Sequence, residues 1–273
     1  MSRPPLPDAP VPALPVGLQE VRRVVAVVAH PDDESFGLGG VIGLLVDHGM
    51  TVDVLCLSQG EASTLGVGTG QVAAADLKTV RAGELRAAAA VLGVDRVWLH
   101  DLPDGNLAGS GDRVAAAVEA AVAGADAVVV FEPSGVTGHP DHMAATAAAL
   151  LAARRWGMVT IEWGVPPAAA KQMADELGVP LTGLSGAGVV AVHVDRVRQR
   201  AAAALHATQA TGNPVLERRL AVQGDIDHLR ISVPEVGAAG GIAPCGPVTT
   251  EEGRTALVRR PAADDAHGGG VAR

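Results

Sequence analysis

The sequence has little aromatic character: it contains no tyrosine, and aromatic residues make up only 2% of its 273 residues. It has two cysteines, too few for a disulfide framework. Cys56 lies in a predicted strand and is interpreted as a small core residue, whereas Cys245 lies in a Gly/Pro-rich tail. No segment approaches the roughly 20 apolar residues that a membrane span needs. Prolines interrupt the N-terminal segment where a signal peptide would need a continuous apolar helix. We therefore expect a cytoplasmic, reduced protein with no membrane partner.

The formal net charge is −9 and charged residues make up 19% of the chain, which argues against a broad nucleic-acid-binding surface. Hydrophobic residues make up 48%, enough for a sizeable core. Residues 1–20 are rich in proline and are predicted to be a flexible leader. Residues 21–232 are predicted to form a single α/β domain. Residues 233–273 shift to Gly, Pro and Ala and are predicted to be a partly disordered extension.

Strand-like and helix-like segments alternate along the predicted domain. Alternation of this kind predicts βαβ units, and hence a Rossmann-like, mostly parallel sheet with helices on both faces. The predicted strands are 22–30, 51–58, 95–102, 125–133, 158–165 and 188–195. The predicted helices are 39–50, 74–93, 112–124, 142–157, 168–178 and 196–210.

Polar residues cluster where the predicted strands end. His30 ends the first strand, Asp101 and Asp104 follow the third, and residues 132–142 follow the fourth. Ligands of open α/β sheets bind outside the carboxyl ends of the strands. Residues more than 100 positions apart are therefore expected to meet at one edge of the sheet.

Two short stretches, "AHPDDE" and "SGVTGHPDHMAA", supply three histidines and several acids to that edge. A catalytic zinc site uses three nitrogen or oxygen ligands and leaves one position for water. His30 and Asp33 are three residues apart, which a tight turn places on one side, and His142 would be the third ligand. Asp32 would then face the water as general base. The spacing by itself does not decide which aspartate binds the metal.

The second loop also offers an acid for the leaving group. His139 would donate a proton to a leaving amine, with Asp141 fixing its orientation and tautomer. Glu34 has a simpler interpretation, because acids near a helix N-terminus stabilise the helix.

A nucleotide-binding oxidoreductase is a rival interpretation. Gly37, Gly39 and Gly43 follow a strand, but their spacing does not fit G-x-G-x-x-G. The second strand also ends in Ser58-Gln59, without the acid expected to bind a ribose. We interpret these glycines as positions of close helix packing.

Taken together, these motifs resemble the LmbE-like, or PIG-L, zinc-dependent N-deacetylases, which act on N-acetylglucosaminyl compounds. The resemblance rests on "AHPDDE" and "GHPDH", about 110 residues apart, and covers roughly residues 22–210. Between them, "RAGELRAAAAVLGV" and "LHDLPDG" are similar to the family's Arg-x-x-Glu helix and Pro-Asp-Gly turn. Further on, "VDRVRQRAAAALHATQ" is similar to its late helix.

The resemblance implies that His30, Asp33 and His142 bind one Zn²⁺, or another divalent metal, per chain. It also implies that Asp32 is the base, and that His139, supported by Asp141, is the acid or oxyanion partner. Arg81 and Asp104 would contact substrate. From the sequence alone, Arg81 could equally be an exposed helix residue and Asp104 a turn-former. Some relatives carry a tyrosine where this chain has Thr137.

The expected function is removal of an acyl group, most simply acetyl, from an N-acyl amino sugar or related small molecule. Two alternatives stay open at this point. An amidase that cleaves a thiol-sugar conjugate would use the same metal site, and a non-catalytic sugar-binding module would keep the fold. The resemblance also allows assembly into a homo-oligomer.

Overall fold

The computed structural model describes residues 12–65 and 72–234. Its centre is one seven-stranded sheet, in the spatial order β3-β2-β1-β4-β5-β7-β6. The strands are β1 Arg23–Val28, β2 Thr51–Ser58, β3 Arg96–Leu102, β4 Ala127–Phe131, β5 Val159–Gly164, β6 Val189–His193 and β7 Ile226–Ser232. The first five strands run parallel, whereas β7 pairs antiparallel with both β5 and β6. The predicted α/β fold with a mostly parallel sheet is confirmed.

Helices cover both faces of the sheet. They are α1 Asp33–Phe36, α2 Gly39–Asp47, α3 Leu77–Leu92, α4 Gly111–Val122, α5 Gly135–Gly138, α6 Pro140–Trp156, α7 Pro167–Leu177, α8 Arg196–Ala203, α9 Ala207–Ala210 and α10 Pro214–Gln223. No helix in the described part of the chain is long and apolar enough to cross a membrane.

The central strand β1 shows how the sequence builds two cores. Its residues are apolar throughout, and successive side chains of a strand point to opposite faces. Val24, Ala26 and Val28 pack with α2 and α3 on one face, whereas Val25 and Val27 pack with α4 and α6 on the other. Burial on both faces explains why β1 lacks polar alternation.

The sequence analysis missed the last two elements of the domain. No element was predicted after residue 210, yet α10 and β7 both form there. β7 contains Asp227, His228 and Arg230, and its side chains alternate between buried and partly exposed positions. The predicted helix 196–210 is also interrupted: α8 ends at Ala203 and α9 begins at Ala207.

The predicted leader and extension lie largely outside the described residues, as does Cys245. Residues 12–20 are described, and Leu18 in that range is fully buried in the core. The apolar core therefore includes a residue that precedes residue 21, where the predicted domain begins. Cys56 is fully buried, as predicted. The division into leader, domain and extension stays a prediction.

Candidate metal centre

The predicted site residues lie on two loops that follow neighbouring strands. β1 leads into residues 30–34, and β4 leads through α5 into residues 139–142. Because β1 and β4 pair in parallel, their carboxyl ends lie at the same edge of the sheet. The two loops meet there, with the ring centroids of His30 and His142 5.2 Å apart.

Asp33 lies between these two imidazoles. Its Oδ1 is 3.2 Å from His142 Nε2, and its Oδ2 is 3.6 Å from His30 Nδ1. Oδ2 also accepts hydrogen bonds from the backbone N–H groups of Ala29 and His30, at 3.2 and 3.0 Å. The structure therefore brings together the three residues predicted to bind metal, although 109 residues separate His142 from Asp33 in the sequence.

In each of these two imidazoles, the outer nitrogen, which is the one that does not face Asp33, lies near a hydrogen-bond acceptor. His142 Nδ1 lies 3.1 Å from the carbonyl oxygen of Gly135, so it carries a proton. His30 Nε2 lies 3.1 Å from Asp104 Oδ1 and 3.4 Å from Asp141 Oδ2, so it carries one too. In each neutral ring the inner nitrogen, which faces Asp33, is then unprotonated and directs its lone pair at the Asp33 carboxylate.

Two lone pairs that face a carboxylate are unfavourable unless a positive charge sits among them. That charge is either a proton on each ring or a metal cation. Metal-binding histidines in proteins commonly donate their other ring N–H to a carboxylate or carbonyl, as both rings do here. Two imidazole nitrogens and one carboxylate are also a common donor set for catalytic zinc. The residues present fit a divalent metal.

The electrostatics of the metal-free chain lead to the same conclusion. Burial alone lowers the pKa of His30, but hydrogen bonds to Asp104, Asp141 and Asp33 raise it to about 12. Burial also opposes the charged form of His142, yet the charge of Asp33 raises the pKa of that ring. The pKa of Asp33 lies well below its usual range because the two histidines outweigh its burial. The centre therefore favours positive charge strongly.

His139 adds a third imidazole, with its ring centroid 4.8 Å from those of both His30 and His142. These three histidines are close enough together to hold an ion. However, His139 Nδ1 accepts the backbone N–H of Asp141 at 3.2 Å, so the proton of the neutral ring sits on Nε2. Burial and the charges of His142 and His30 lower the pKa of His139. This arrangement suits a neutral hydrogen-bond donor better than a ligand.

A second group, His30, Asp104 and Asp141, also has ligand atoms within ion-binding distance of one another. Asp141 is fully buried, and its two oxygens accept the N–H groups of Gly105 and Leu107 at 2.7 and 2.9 Å. Asp104 Oδ2 accepts the backbone N–H of Ala62 at 2.7 Å. Since these hydrogen bonds already occupy the carboxylates, this group holds loops in place more readily than it binds metal.

Asp141 contacts His139 through its backbone N–H, which donates to His139 Nδ1, and not through its carboxylate. Its carboxylate points instead into the protein, toward the turn 103–107 and His30 Nε2. The two side chains point in different directions: that of Asp141 is fully buried, whereas that of His139 is partly exposed.

Asp32 lies beside the ligands in an unusual conformation. Its backbone φ is 129°, and Asp32 and Val136 are the residues other than glycine with positive φ in the described parts of the chain. The Asp32 side chain is 16% exposed, and its Oδ2 lies 3.2 Å from Arg81 Nη2. Burial raises the pKa of Asp32 to about 6, although the charge of Arg81 opposes the shift. Strained backbone of this kind concentrates at functional sites.

Arg81 is buried, which rules out an exposed helix position. Its guanidinium donates to the carbonyl oxygens of Pro31 and Gly60 in addition to pairing with Asp32. From its buried position, Arg81 therefore holds the first loop, residues 30–34, in place. Asp104 lies beside His30 at the edge of the centre, as described above.

The sequence did not show which groups two buried acids near the loops, Glu132 and Glu34, would bind. Glu132, directly after β4, accepts the N–H groups of Ser134 and Val136 at 2.8 and 2.7 Å and so fixes the turn before His139. Glu34 is fully buried and pairs with His206 at 2.7 Å. A strand-end position signals Glu132, but no local signal identifies the partner of Glu34.

The comparisons with known proteins find relatives of the segment that carries both loops. Residues 25–153, which include both loops, match the family model described as "PIG-L: GlcNAc-PI de-N-acetylase". The 1D-myo-inositol 2-acetamido-2-deoxy-alpha-D-glucopyranoside deacetylase of Mycolicibacterium vanbaalenii is 34% identical over 175 residues, covering 55% of this chain and 62% of that protein. The chain thus spans less than two thirds of that relative.

Solved structures share the fold of this chain. A deacetylase acting on the pseudoaglycone of the antimicrobial reagent A40926 superposes with a TM-score of 0.62 at 20% identity, covering 80% of this chain and 100% of that one. A 4-carboxy-2-hydroxymuconate hydratase from Pseudomonas putida gives a TM-score of 0.59 at 20% identity, covering 79% and 98%. Because the fold occurs in both a deacetylase and a hydratase, activity must be argued from the site itself.

Proposed function

We propose that this protein is a zinc-dependent N-deacetylase that hydrolyses the acetamide of an N-acetylglucosamine-type small molecule to acetate and a free amine. The observation that carries the proposal is the pair of inner imidazole nitrogens directed at Asp33, each with its outer nitrogen engaged by another group. The match to the PIG-L family model and the relative named as a deacetylase of a 2-acetamido-2-deoxy-glucopyranoside support it.

His30 Nδ1, Asp33 Oδ1 and His142 Nε2 are the atoms proposed to hold the metal, one per chain. A bound divalent cation supplies Lewis-acid chemistry: it lowers the pKa of water toward about 7 and polarises an amide carbonyl. The Gly135 carbonyl and the Asp104 and Asp141 carboxylates keep the two imidazoles in the ligand tautomer.

Asp32 is the proposed general base. Its carboxylate lies next to the ligand set and accepts a proton from the attacking water as the water oxygen bonds to the acetyl carbon. Arg81 holds this carboxylate through Oδ2, which leaves Oδ1 to receive the proton. We therefore assign Arg81 to orienting the base, in addition to the substrate contact predicted from the sequence.

His139 is the proposed oxyanion partner. Its Nδ1 accepts the Asp141 N–H, so its single ring proton sits on Nε2, where it would hydrogen-bond the carbonyl oxygen as negative charge develops there. The proton that Asp32 takes from the water would then pass to the leaving nitrogen as the C–N bond breaks. Asp104, beside His30, is proposed to contact the sugar hydroxyls.

The test is acetate release by the zinc-loaded protein from N-acetylglucosamine, N,N′-diacetylchitobiose and N-acetylglucosaminyl-inositol. Asp32→Asn should keep its zinc and lose roughly 10²- to 10⁴-fold in kcat, the usual contribution of a general base. Asp101→Asn is the matched control. Asp101 is an exposed aspartate near the end of β3 and pairs with Lys78, so this variant should release acetate normally.

Two results would contradict the proposal. If the zinc-loaded wild type released no acetate from any of the three compounds, the substrate class would be wrong. If Asp32→Asn turned over like Asp101→Asn, another group would be the base.

A further inference from the structure

The backbone of Asp32 needs support from its surroundings. An L-residue at φ 129° and ψ −29° lies outside the ordinary allowed regions, so this backbone conformation is strained. A strained residue persists only where neighbouring groups determine its conformation. The peptide oxygen of Asp32 is held by the N–H groups of Ser35 and Phe36, at 3.1 and 2.7 Å.

Glu34 holds the other side of this residue. Its Oε2 accepts the backbone N–H of Asp32 at 3.0 Å, and the side chain is fully buried. A carboxylate that accepts the N–H at the start of a helix resembles a capping interaction. However, an ordinary cap is solvent-exposed, whereas this carboxylate has been removed from water entirely. Burying an ionised group is costly unless it is paired.

His206 supplies that pairing from a distant part of the chain. Its Nε2 lies 2.7 Å from Glu34 Oε1, and its side chain is also fully buried. The ring packs edge-on against Phe36 with centroids 5.8 Å apart. His206 stands where the predicted late helix breaks between α8 and α9, and this break places the ring against the first loop. Glu34 is therefore fixed at both oxygens.

Arg81 and this pair act on different parts of Asp32. Arg81 fixes the carboxylate and the preceding carbonyl of Pro31, whereas Glu34 fixes the Asp32 N–H. The direction of the carboxylate depends on φ of Asp32. Removing the Glu34 contact therefore frees the backbone while leaving the contact between the Asp32 carboxylate and Arg81 in place.

We propose that Glu34 and His206 are positioning residues that hold Asp32 in its strained conformation and so aim its carboxylate at the reacting water. The inference rests on the proposed function in one respect, the assignment of Asp32 as the base. A purely structural role would lower stability alone. A positioning role lowers kcat as well, and leaves KM and bound zinc unchanged.

The central experiment compares Glu34→Ala with Glu34→Gln. Glutamine keeps an oxygen for the Asp32 N–H and offers an amide N–H to His206, whose Nε2 accepts it once the ring proton moves to Nδ1, whereas alanine removes both contacts. Glu34→Ala should lose at least about tenfold in kcat, since misplacement of a catalytic group by about 1 Å can cost about 100-fold. Glu34→Gln should stay within about threefold of wild type. KM and zinc content should stay within twofold in both.

Two further variants separate position from stability. His206→Gln retains a donor toward Glu34, whereas His206→Ala would leave a buried carboxylate unpaired and can unfold the chain. The Gln variant should therefore show a smaller fall in kcat than Glu34→Ala. Asp53→Ala is the stability control. Asp53 is buried and paired with Arg23 at 2.8 Å near the opposite end of the strands, so this variant should unfold more easily and keep its kcat.

A measurement without turnover makes the test independent of the proposed activity. A crystal structure of Glu34→Ala should show φ of Asp32 relaxed to a negative value, and that of Glu34→Gln should keep it positive. An unchanged positive φ in Glu34→Ala overturns the inference. So does wild-type kcat in Glu34→Ala when Asp32→Asn is inactive, or equal losses in the Ala and Gln variants. An active Asp32→Asn refutes the base assignment instead.

Discussion

The Asp141 carboxylate offers the most quantitative test of the structure. It is fully buried and accepts the N–H groups of Gly105 and Leu107 at 2.7 and 2.9 Å. It also faces His30 Nε2 at 3.4 Å. Removing it would leave two backbone donors of the turn 103–107 without their partner. The sequence assigned Asp141 only a supporting role for His139, which predicts a loss of turnover but little loss of stability.

The magnitude follows from the two donors. A buried donor left unsatisfied costs about 1–3 kcal/mol, and an ordinary hydrogen bond contributes about 1 kcal/mol. The Leu107 N–H is buried and the Gly105 N–H is partly buried. Asp141→Ala should therefore lower the free energy of unfolding by about 3 kcal/mol. Asp141→Asn keeps one oxygen acceptor and should lose about half as much.

Urea unfolding measures this loss, with a metal chelator present in every sample so that bound metal adds no stability of its own. With a slope of about 3 kcal/mol per molar urea, the midpoint of Asp141→Ala should fall by about 1 M. Asp175→Ala is the control for the same substitution at an exposed site. Within the described part of the chain Asp175 pairs with Lys171, in an exposed i, i+4 pair, so its loss should be within about 0.5 kcal/mol.

A loss below about 1 kcal/mol for Asp141→Ala would refute this reasoning. It would mean that the turn 103–107 finds other acceptors or that its N–H groups reach water. The role of Asp141 would then be the one that the resemblance implied.

Two other predictions concern the metal and the first loop. His142→Ala should lose most of its zinc and the zinc-dependent rise in unfolding temperature. In wild type, zinc at 100 times its Kd corresponds to about 2.7 kcal/mol of stabilisation. His193→Ala, at an exposed position, should keep both, and full zinc content in His142→Ala would exclude His142 as a ligand. Gly60→Ala should lower both stability and kcat, because Gly60 has φ +68° and a Cβ there would overlap the Arg81 guanidinium. Gly83→Ala, a helical glycine with open space around it, should instead gain about 0.5–1 kcal/mol in unfolding measurements; equal behaviour of the two glycine variants would contradict the placement of Arg81.

Helices and strands whose secondary structure follows from their own local sequence pattern were predictable. β2 coincides with the predicted strand 51–58, because its apolar run is bounded by a glycine-containing turn on one side and polar residues on the other. β7 was missed because Asp227, His228 and Arg230 interrupt its apolar residues without strict alternation, and no neighbouring motif marked it. It becomes a strand through antiparallel pairing with β5 and β6, which no local window can show.

Within the site, the two His-Pro-Asp motifs made His30, Asp33 and His142 candidates before any coordinates. The tautomers of these histidines needed tertiary structure, because they depend on Gly135, Asp104 and Asp141. Those partners come from other loops, and their positions depend on how the strands end. For the same reason, only the structure shows that Asp141 contacts His139 through its backbone N–H and not through its carboxylate.

By itself the sequence determined the residue types and their order: apolar strands that end in histidine and aspartate, at the edge where parallel strands deliver them. Only the tertiary structure decided which atoms face one another. It set a lone pair of each imidazole against Asp33, forced Asp32 to positive φ, and buried Glu34 against His206 across 172 residues. Chemistry of this kind depends on distances of about 3 Å, and chain order fixes such distances only within a turn or two.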